Sequence, residues 1–368
     1  MKDIQSVIDA VSPLSSAAME AARKRQAKLA KPPGSLGRLE ELSIQLAGIT
    51  GNAHNQVKVR HLLIFAADNG VVAEGIASTP PSVTAQQSVN LTLGKTGAAV
   101  LAAHFGCKLT VYDVGVNADL SGTAVINRKL AFGTGNIARG PAMPREMALK
   151  ALQIGAEAAL EAIAGGAEVL GIGEMGIGNT TTSAAVTAAL TGLPAEKAVG
   201  RGAGLTDEAF RKKQQVVRMA LQINAPDPAD PADVLAKVGG LDLAAMAGAF
   251  LGAAAGRRPA VIDGFISAAA ALCAVRLCPA AKGYLVPSHA SVEIGSKALM
   301  EALGLSPLFD LQMRLGEGSG CPLAFEVLDA ACAVLDGMAT FDEAGIDDHY
   351  LEPIRRIDAF AAGGDDNG

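Results

Sequence analysis

The 368-residue chain is half hydrophobic, 18% charged and has a formal net charge of −6, so it can bury a large core but has no basic stripe for coating nucleic acid. Aromatics make up 4% with no Trp, against 42 Gly, a balance that favours close helix-on-sheet packing over an all-β sandwich. Met1–Ala10 lacks a basic-then-apolar signal pattern, and the apolar stretches Leu243–Gly256 and Phe265–Val275 are too short to span a bilayer. The expectation is a soluble, cytoplasmic protein with neither membrane nor nucleic acid as partner. Cys107, Cys273, Cys278, Cys321 and Cys332 show no zinc-like spacing and sit in apolar context, which predicts buried free thiols in a reducing compartment.

Residues 1–50 read as polar helices interrupted at Lys31-Pro32-Pro33-Gly34, with Ser35 as a candidate cap for the helix that follows. Strands are predicted near Leu62–Ala67, Leu109–Val114, Glu168–Ile172, Ala260–Ile262 and Tyr284–Val286, with a weaker one near Leu308–Asp310. Helices are predicted over Ala85–His104, Glu146–Ala164, Thr180–Leu190, Asp207–Asn224 and Ala244–Ala255. The alternation implies an α/β fold with a mostly parallel sheet and helices on both faces. From Asp336 onward the chain returns to charged helical sequence, and Gly363–Gly368 reads as a disordered tail.

In such a fold ligands bind outside the carboxyl ends of the strands. The polar and glycine-rich segments fall there: Asp68-Asn69-Gly70, Asp113-Val114-Gly115, Gly173–Thr180, Asp263-Gly264-Phe265, and Pro287-Ser288-His289-Ala290-Ser291. Gly171-Ile172-Gly173-Glu174-Met175-Gly176 is a literal GxGxxG, with Glu196 downstream as a candidate ribose acid. A bare match of this kind is weak support for a dinucleotide site. Gly176, Gly178, Asn179 and Thr180, opening a helix, better suit one phosphate held on backbone N–H groups at the positive dipole end, although an ordinary Thr-rich cap has the same composition. Gly202, Ala203 and Gly204 form a second anion-loop candidate, from whose following helix Lys213 can reach a phosphate as a point charge.

Arg314-Leu315-Gly316-Glu317-Gly318-Ser319-Gly320 carries the sharpest signal. A carboxylate flanked by glycines is unshielded by neighbouring side chains, so it can act as a general base, or be a plain turn residue. Glu174 is a second carboxylate in glycine-rich sequence, and two such groups also fit glycosidase-type acid/base chemistry. No His, Cys and acid spacing suggests a metal, and neither a P-loop nor the acidic signature of diphosphate-dependent phosphoribosyltransferases is present.

Taken in order with Lys31–Gly37, Ala67–Val72, Thr79–Thr84, Tyr112–Gly115 and Gly133–Ile137, these motifs resemble, almost end to end, the nicotinate-nucleotide–dimethylbenzimidazole phosphoribosyltransferase family. The resemblance implies a Rossmann-like domain over 56–335 and a small helical domain assembled from 1–55 and 336–368. It implies a homodimer, no metal and no cofactor. Small-molecule substrates are nicotinate mononucleotide and a benzimidazole base, with Glu317 as catalytic base and Glu174 in the same pocket. The base pocket is implied to draw on Thr79 and Gln87, where Thr stands for the family's Ser. Further substrate contacts fall on Ser291, Leu315, Gly316 and Gly318, and the phosphate side on the Gly-Asn-Thr loop, Gly202–Gly204 and Lys213. The alternatives left open are a nicotinamide-dinucleotide oxidoreductase and a non-catalytic nucleotide-binding protein.

Overall fold

The computed structural model describes residues 3–202, 204–354 and 357; Ala203 and the tail Gly363–Gly368 lie outside them. The described residues pack into two compact units, one comprising 3–12 with the described part of 59–324 and the other 13–58 with 325–354 and 357.

The larger unit holds a six-stranded, all-parallel sheet: β1 Arg60–Ala67, β2 Lys108–Gly115, β3 Ile126–Asn127, β4 Val169–Met175, β5 Ala260–Ile262 and β6 Leu285–Pro287. Their spatial order is β3-β2-β1-β4-β5-β6, the order of a doubly wound sheet, which reverses direction between β1 and β4. Every residue of β1 and of β4 is buried. Consecutive residues of a strand point to opposite faces, so unbroken burial means that both faces are covered. This is the α/β architecture that alternation in the sequence predicts.

Small residues explain the covering layer. Helices Arg145–Ala164 and Leu241–Ala255 approach so closely that a Cβ on Gly155 would lie 1.7 Å from the Ala245 carbonyl oxygen, and one on Gly248 would lie 1.8 Å from that of Leu152. The abundance of Gly and Ala is therefore a packing requirement here. The smaller unit is built around Ser16–Lys28 and Arg38–Thr50, with Ala18, Ala22, Ile44, Ala47 and Leu335 in its core.

Several expectations are corrected. Ala85–His104 is two helices, Val83–Thr92 and Gly97–His104: Gly94 turns left-handed (φ 73°) and the Thr96 hydroxyl caps a new start by accepting from Ala99 N–H. Leu308–Asp310 is not a strand, since only Phe309 bridges His289, and Pro307 has no N–H with which to extend the ladder. Ser35 is not the cap of Arg38–Thr50; Gly37 occupies that position without a side-chain bond. The edge strand β3 and the helices Pro231–Val238 and Ser296–Leu303 have no counterpart among the sequence expectations. All five cysteines are buried and free, as their apolar context predicts.

Candidate active site

At the carboxyl edge of the sheet a cavity opens, lined by segments 76–79, 174–180, 263–267 and 314–317, together with Arg201, Gly202, Leu205, Lys213, His289, Ser291 and Glu293. It brings together Thr79, Glu174, Gly176, Gly178, Asn179, Thr180, Gly202, Lys213, Ser291, Leu315, Gly316 and Glu317 of the expected site. Gln87 and Gly318 stand behind the wall and touch it through hydrogen bonds. Gly204 is not part of the lining; its N–H turns back to the Arg201 carbonyl, at 3.1 Å. Ala203 lies outside the described residues.

The floor is the loop that carries Glu317. Gly316, Glu317 and Gly318 all adopt left-handed backbone, with φ of 83°, 60° and 76°, a costly region for Glu and an easy one for its neighbours. A Cβ at Gly316 would also lie 2.6 Å from Glu174 Oε1. The loop therefore needs glycine on both sides of its acid. Such strain persists only where surrounding contacts over-determine it, and here they do: Glu317 N–H donates to Glu174 Oε1 (3.1 Å), Gly318 N–H to Asp263 Oδ2 (3.1 Å) and Gly320 N–H to Asp263 Oδ1 (2.7 Å).

The Glu317 side chain is buried, and its two oxygens differ. Oε1 accepts from Gln87 Nε2 at 3.2 Å, and the Gln87 amide is oriented by Asn90 Nδ2, which donates to its oxygen at 2.9 Å. Oε2 is buried and accepts no hydrogen bond among the described residues. A buried acceptor without a donor is unfavourable unless a ligand supplies one.

Glu174 is not in the loop after β4, as the sequence suggested, but near the end of the strand itself. The GxGxxG is thereby disqualified as a dinucleotide turn: Gly171 and Gly173 are strand residues, and Glu196 sits on the short helix Ala195–Ala198, exposed and paired with Arg218. Burial pushes the Glu174 carboxyl up to about 8, against the pull of hydrogen bonds from Asn179 Nδ2 and Glu317 N–H, with the nearby carboxyls Asp242 and Asp263 raising it further. Asp263 and Asp242 are likewise pushed up by burial, to about 7 and about 6. The sequence did not single out Asp242 or the wall residue Glu293, and it noted Asp263 only as a strand end. An acid in the first turn of a helix, as Asp242 is, reads as an ordinary dipole partner, and nothing local marks it as buried.

These three acids bind protons more tightly folded than unfolded, so the stability they contribute is fully present below about pH 4 and is lost as pH rises through about 6, 7 and 8. The buried His61 and His289, both with lowered pKa, act in the opposite sense at acid pH. The clean readout is therefore a difference. Glu174→Gln should melt progressively higher relative to wild type as pH goes from 5 to 8.5, by roughly 1 kcal/mol per pH unit. Parallel melting curves across that range would show that Glu174 titrates like an exposed acid.

The helix Asn179–Thr191 also lines the cavity and begins at Gly178, which provides no side-chain cap; the Asn179 and Thr181 N–H groups donate to the Gly176 and Gly178 carbonyls, at 3.3 and 2.9 Å. Lys213 is buried beside it, with Nζ donating to Thr180 Oγ1 (2.8 Å) and to the Gly200 carbonyl (3.2 Å). Burial lowers its ammonium to about 8, opposed by the Glu293 charge. A buried cation next to an uncapped helix start is a receptor for a phosphate-sized anion. The cavity thus holds a candidate anion corner, at Lys213 and the start of helix Asn179–Thr191, and a carboxyl oxygen without a donor, at Glu317. No cluster of metal-ligating side chains occurs among the described residues.

Known proteins resemble this chain over most of its length. A family profile described as phosphoribosyltransferase matches residues 11–346. The nicotinate-nucleotide–dimethylbenzimidazole phosphoribosyltransferase of Ruminiclostridium cellulolyticum is 50% identical over 345 residues, covering 94% of this chain and 98% of that protein. The enzyme of the same name from Chloroflexus aggregans is 49% identical over 347 residues, with 94% and 98% covered. The crystal structure of a protein of that name from Thermus thermophilus superposes with a TM-score of 0.86 at 43% identity, covering 91% of this chain and 99% of that one. Because the matched span contains the sheet, the anion corner and the Glu317 loop alike, the chain belongs to the phosphoribosyltransferase family.

Proposed function

We propose that the chain transfers the 5-phosphoribosyl group of nicotinate mononucleotide to 5,6-dimethylbenzimidazole or a related base, releasing nicotinate and forming α-ribazole 5′-phosphate. The observation that carries this reading is the buried Glu317 Oε2 without a donor, on a residue that lines the same cavity as Lys213 and the start of helix Asn179–Thr191. The names of the relatives support the choice of substrates.

In this reaction the 5′-phosphate sits against Lys213, Thr180 and the helix N–H groups. The glycosidic nitrogen of nicotinate mononucleotide is a pyridinium cation, so it leaves as neutral-ring nicotinate with the bond's electron pair and needs no acid. One azole nitrogen attacks C1′ from the opposite face, inverting the anomeric centre, and the N–H proton of the other passes to Glu317 Oε2. A single base in hydrogen-bond reach accounts for this step, contributing about 10²- to 10⁴-fold, and holding both substrates in one crevice supplies orientation. Glu174 is largely neutral at pH 7, with both oxygens engaged by N–H donors. It faces the developing positive charge at C1′ as a dipole and becomes an anion only above about pH 8.

We further propose that the protein works as a cytoplasmic homodimer in which the partner's helical unit, assembled from the two chain ends, closes the cavity. Leu311, Leu315, Val292 and Ile294 are exposed on the loops around the cavity, an apolar rim suited to burial by a partner. Among the described residues no helix is long and apolar enough to cross a membrane.

The deciding experiment incubates the protein, at a concentration where its mass in solution is measured, with nicotinate mononucleotide and 5,6-dimethylbenzimidazole. Mass spectrometry should show α-ribazole 5′-phosphate and equimolar nicotinate. Absence of product with wild-type protein would refute the reading, and a monomer with full activity would refute the dimer.

A further inference from the structure

Asp263 lies inside the cavity wall, yet both of its oxygens are already engaged. Oδ2 accepts from Gly318 N–H at 3.1 Å and Oδ1 from Gly320 N–H at 2.7 Å. It is buried at the end of β5 and is itself fixed: its N–H donates to Ser267 Oγ (3.2 Å), which donates to the Ile172 carbonyl (2.9 Å), and its carbonyl accepts from Ser288 Oγ (2.8 Å). A Cβ at Gly320 would lie 3.0 Å from Asp263 Oδ1 and 2.4 Å from His289 Nδ1, so the loop is seated directly on this carboxyl. The two oxygens therefore bracket the residue that follows Glu317 and the one three beyond it.

We propose that Asp263 is a positioning residue for the transfer reaction, a two-pronged clamp that joins the end of β5 to the left-handed Gly316-Glu317-Gly318 turn and so aims Glu317 Oε2 at the incoming base. The proposal rests on the reading of Glu317 as the base. Left-handed backbone at Glu317 is unfavourable by itself, by about 1–2 kcal/mol, and a loop released from its clamp relaxes toward ordinary φ. Because β5 belongs to the central sheet, the clamp transfers the rigidity of the core to one side chain. A displacement of about 1 Å is enough to lose on the order of 10²-fold in rate. Lys213 bonds Thr180 and Gly200 and not this loop, so the substrate phosphate it holds is untouched by this movement.

Asp263→Asn puts an amide NH₂ against one of the two backbone N–H donors, donor facing donor. The expected result is a kcat about 30- to 100-fold lower, with KM for nicotinate mononucleotide within threefold of wild type. A residue acting only through Glu317 has nothing left to act on once the base is gone, so in a Glu317→Gln background the same change should lower kcat less than threefold. If Asp263→Asn does not fold, Ser288→Ala loosens the same clamp without opposing donors, and a kcat loss of about 3- to 10-fold should vanish in the Glu317→Gln background in the same way. A rise in KM at constant kcat, or a loss that is equally large with and without Glu317, would overturn the proposal. If instead Glu317→Gln alone is fully active, the reading of the base fails and not the clamp's geometry.

Discussion

Glu317→Gln is expected to lower kcat for phosphoribosyl transfer by about 10²- to 10⁴-fold, the range that a positioned general base contributes, with little change in KM for nicotinate mononucleotide. The amide keeps the shape of the side chain and one oxygen to accept from Gln87 Nε2, the 3.2 Å contact that orients Oε1. What it removes is the second oxygen, buried and without a donor among the described residues, and with it the capacity to take the azole proton. A loss confined to kcat identifies an interaction made only in the transition state. The check is steady-state kinetics with both substrates varied, beside thermal melting to show that the fold is kept. Retention of full activity would mean that the proton leaves by another route. A benzimidazole already N-alkylated at one nitrogen can attack without losing a proton, and its rate should be nearly indifferent to this substitution.

Glu317 could be found in the sequence because its signal is local: glycines on both sides are needed for a left-handed turn with no room for a Cβ, and glycines can be read directly. The β1, β4 and β5 strands were equally legible, since unbroken apolar runs between polar stops need no partner to be recognised. Glu174 was half legible. The sequence placed it near the pocket but put it in a loop, because the glycines around it mimic a turn while serving as strand positions under the Glu317 loop; a Cβ on Gly173 would lie 2.7 Å from Gly318 Cα. Asp242 had no local signature, and Asp263 was marked only as one polar strand end among several. Their importance comes from burial and from partners such as Asn179 and Gly320, 63 and 57 residues away in the chain. Gln87 lies 230 residues from Glu317 and was reached only through resemblance to a family. Local conformation leaves a mark on neighbouring residues, whereas a tertiary hydrogen bond leaves none.

Lys213→Met is expected to raise KM for nicotinate mononucleotide by roughly 30- to 1000-fold while leaving kcat at saturation within a few fold, since loss of one member of a buried charged pair costs about 2–4 kcal/mol. The argument starts from burial. Lys213 is 1% exposed and donates to the Thr180 hydroxyl and the Gly200 carbonyl, neutral partners that hold the ammonium in place without discharging it. Burial lowers its pKa to about 8, even with the Glu293 charge raising it. A phosphate docking on the helix start favours the charged form, so binding and protonation are linked. Below pH 8 the free enzyme already carries the charge and affinity is flat. Above it a proton must be taken up on binding, so KM should climb up to tenfold per pH unit in wild type and stay level in the methionine variant. Methionine fills the same channel without a charge to desolvate, so the variant should melt no lower than wild type. Inorganic phosphate, as a competitive inhibitor, should weaken in parallel with substrate. A fall in kcat at unchanged KM would place Lys213 at the reacting carbon instead of the phosphate, and would reverse the polarity of the cavity proposed here.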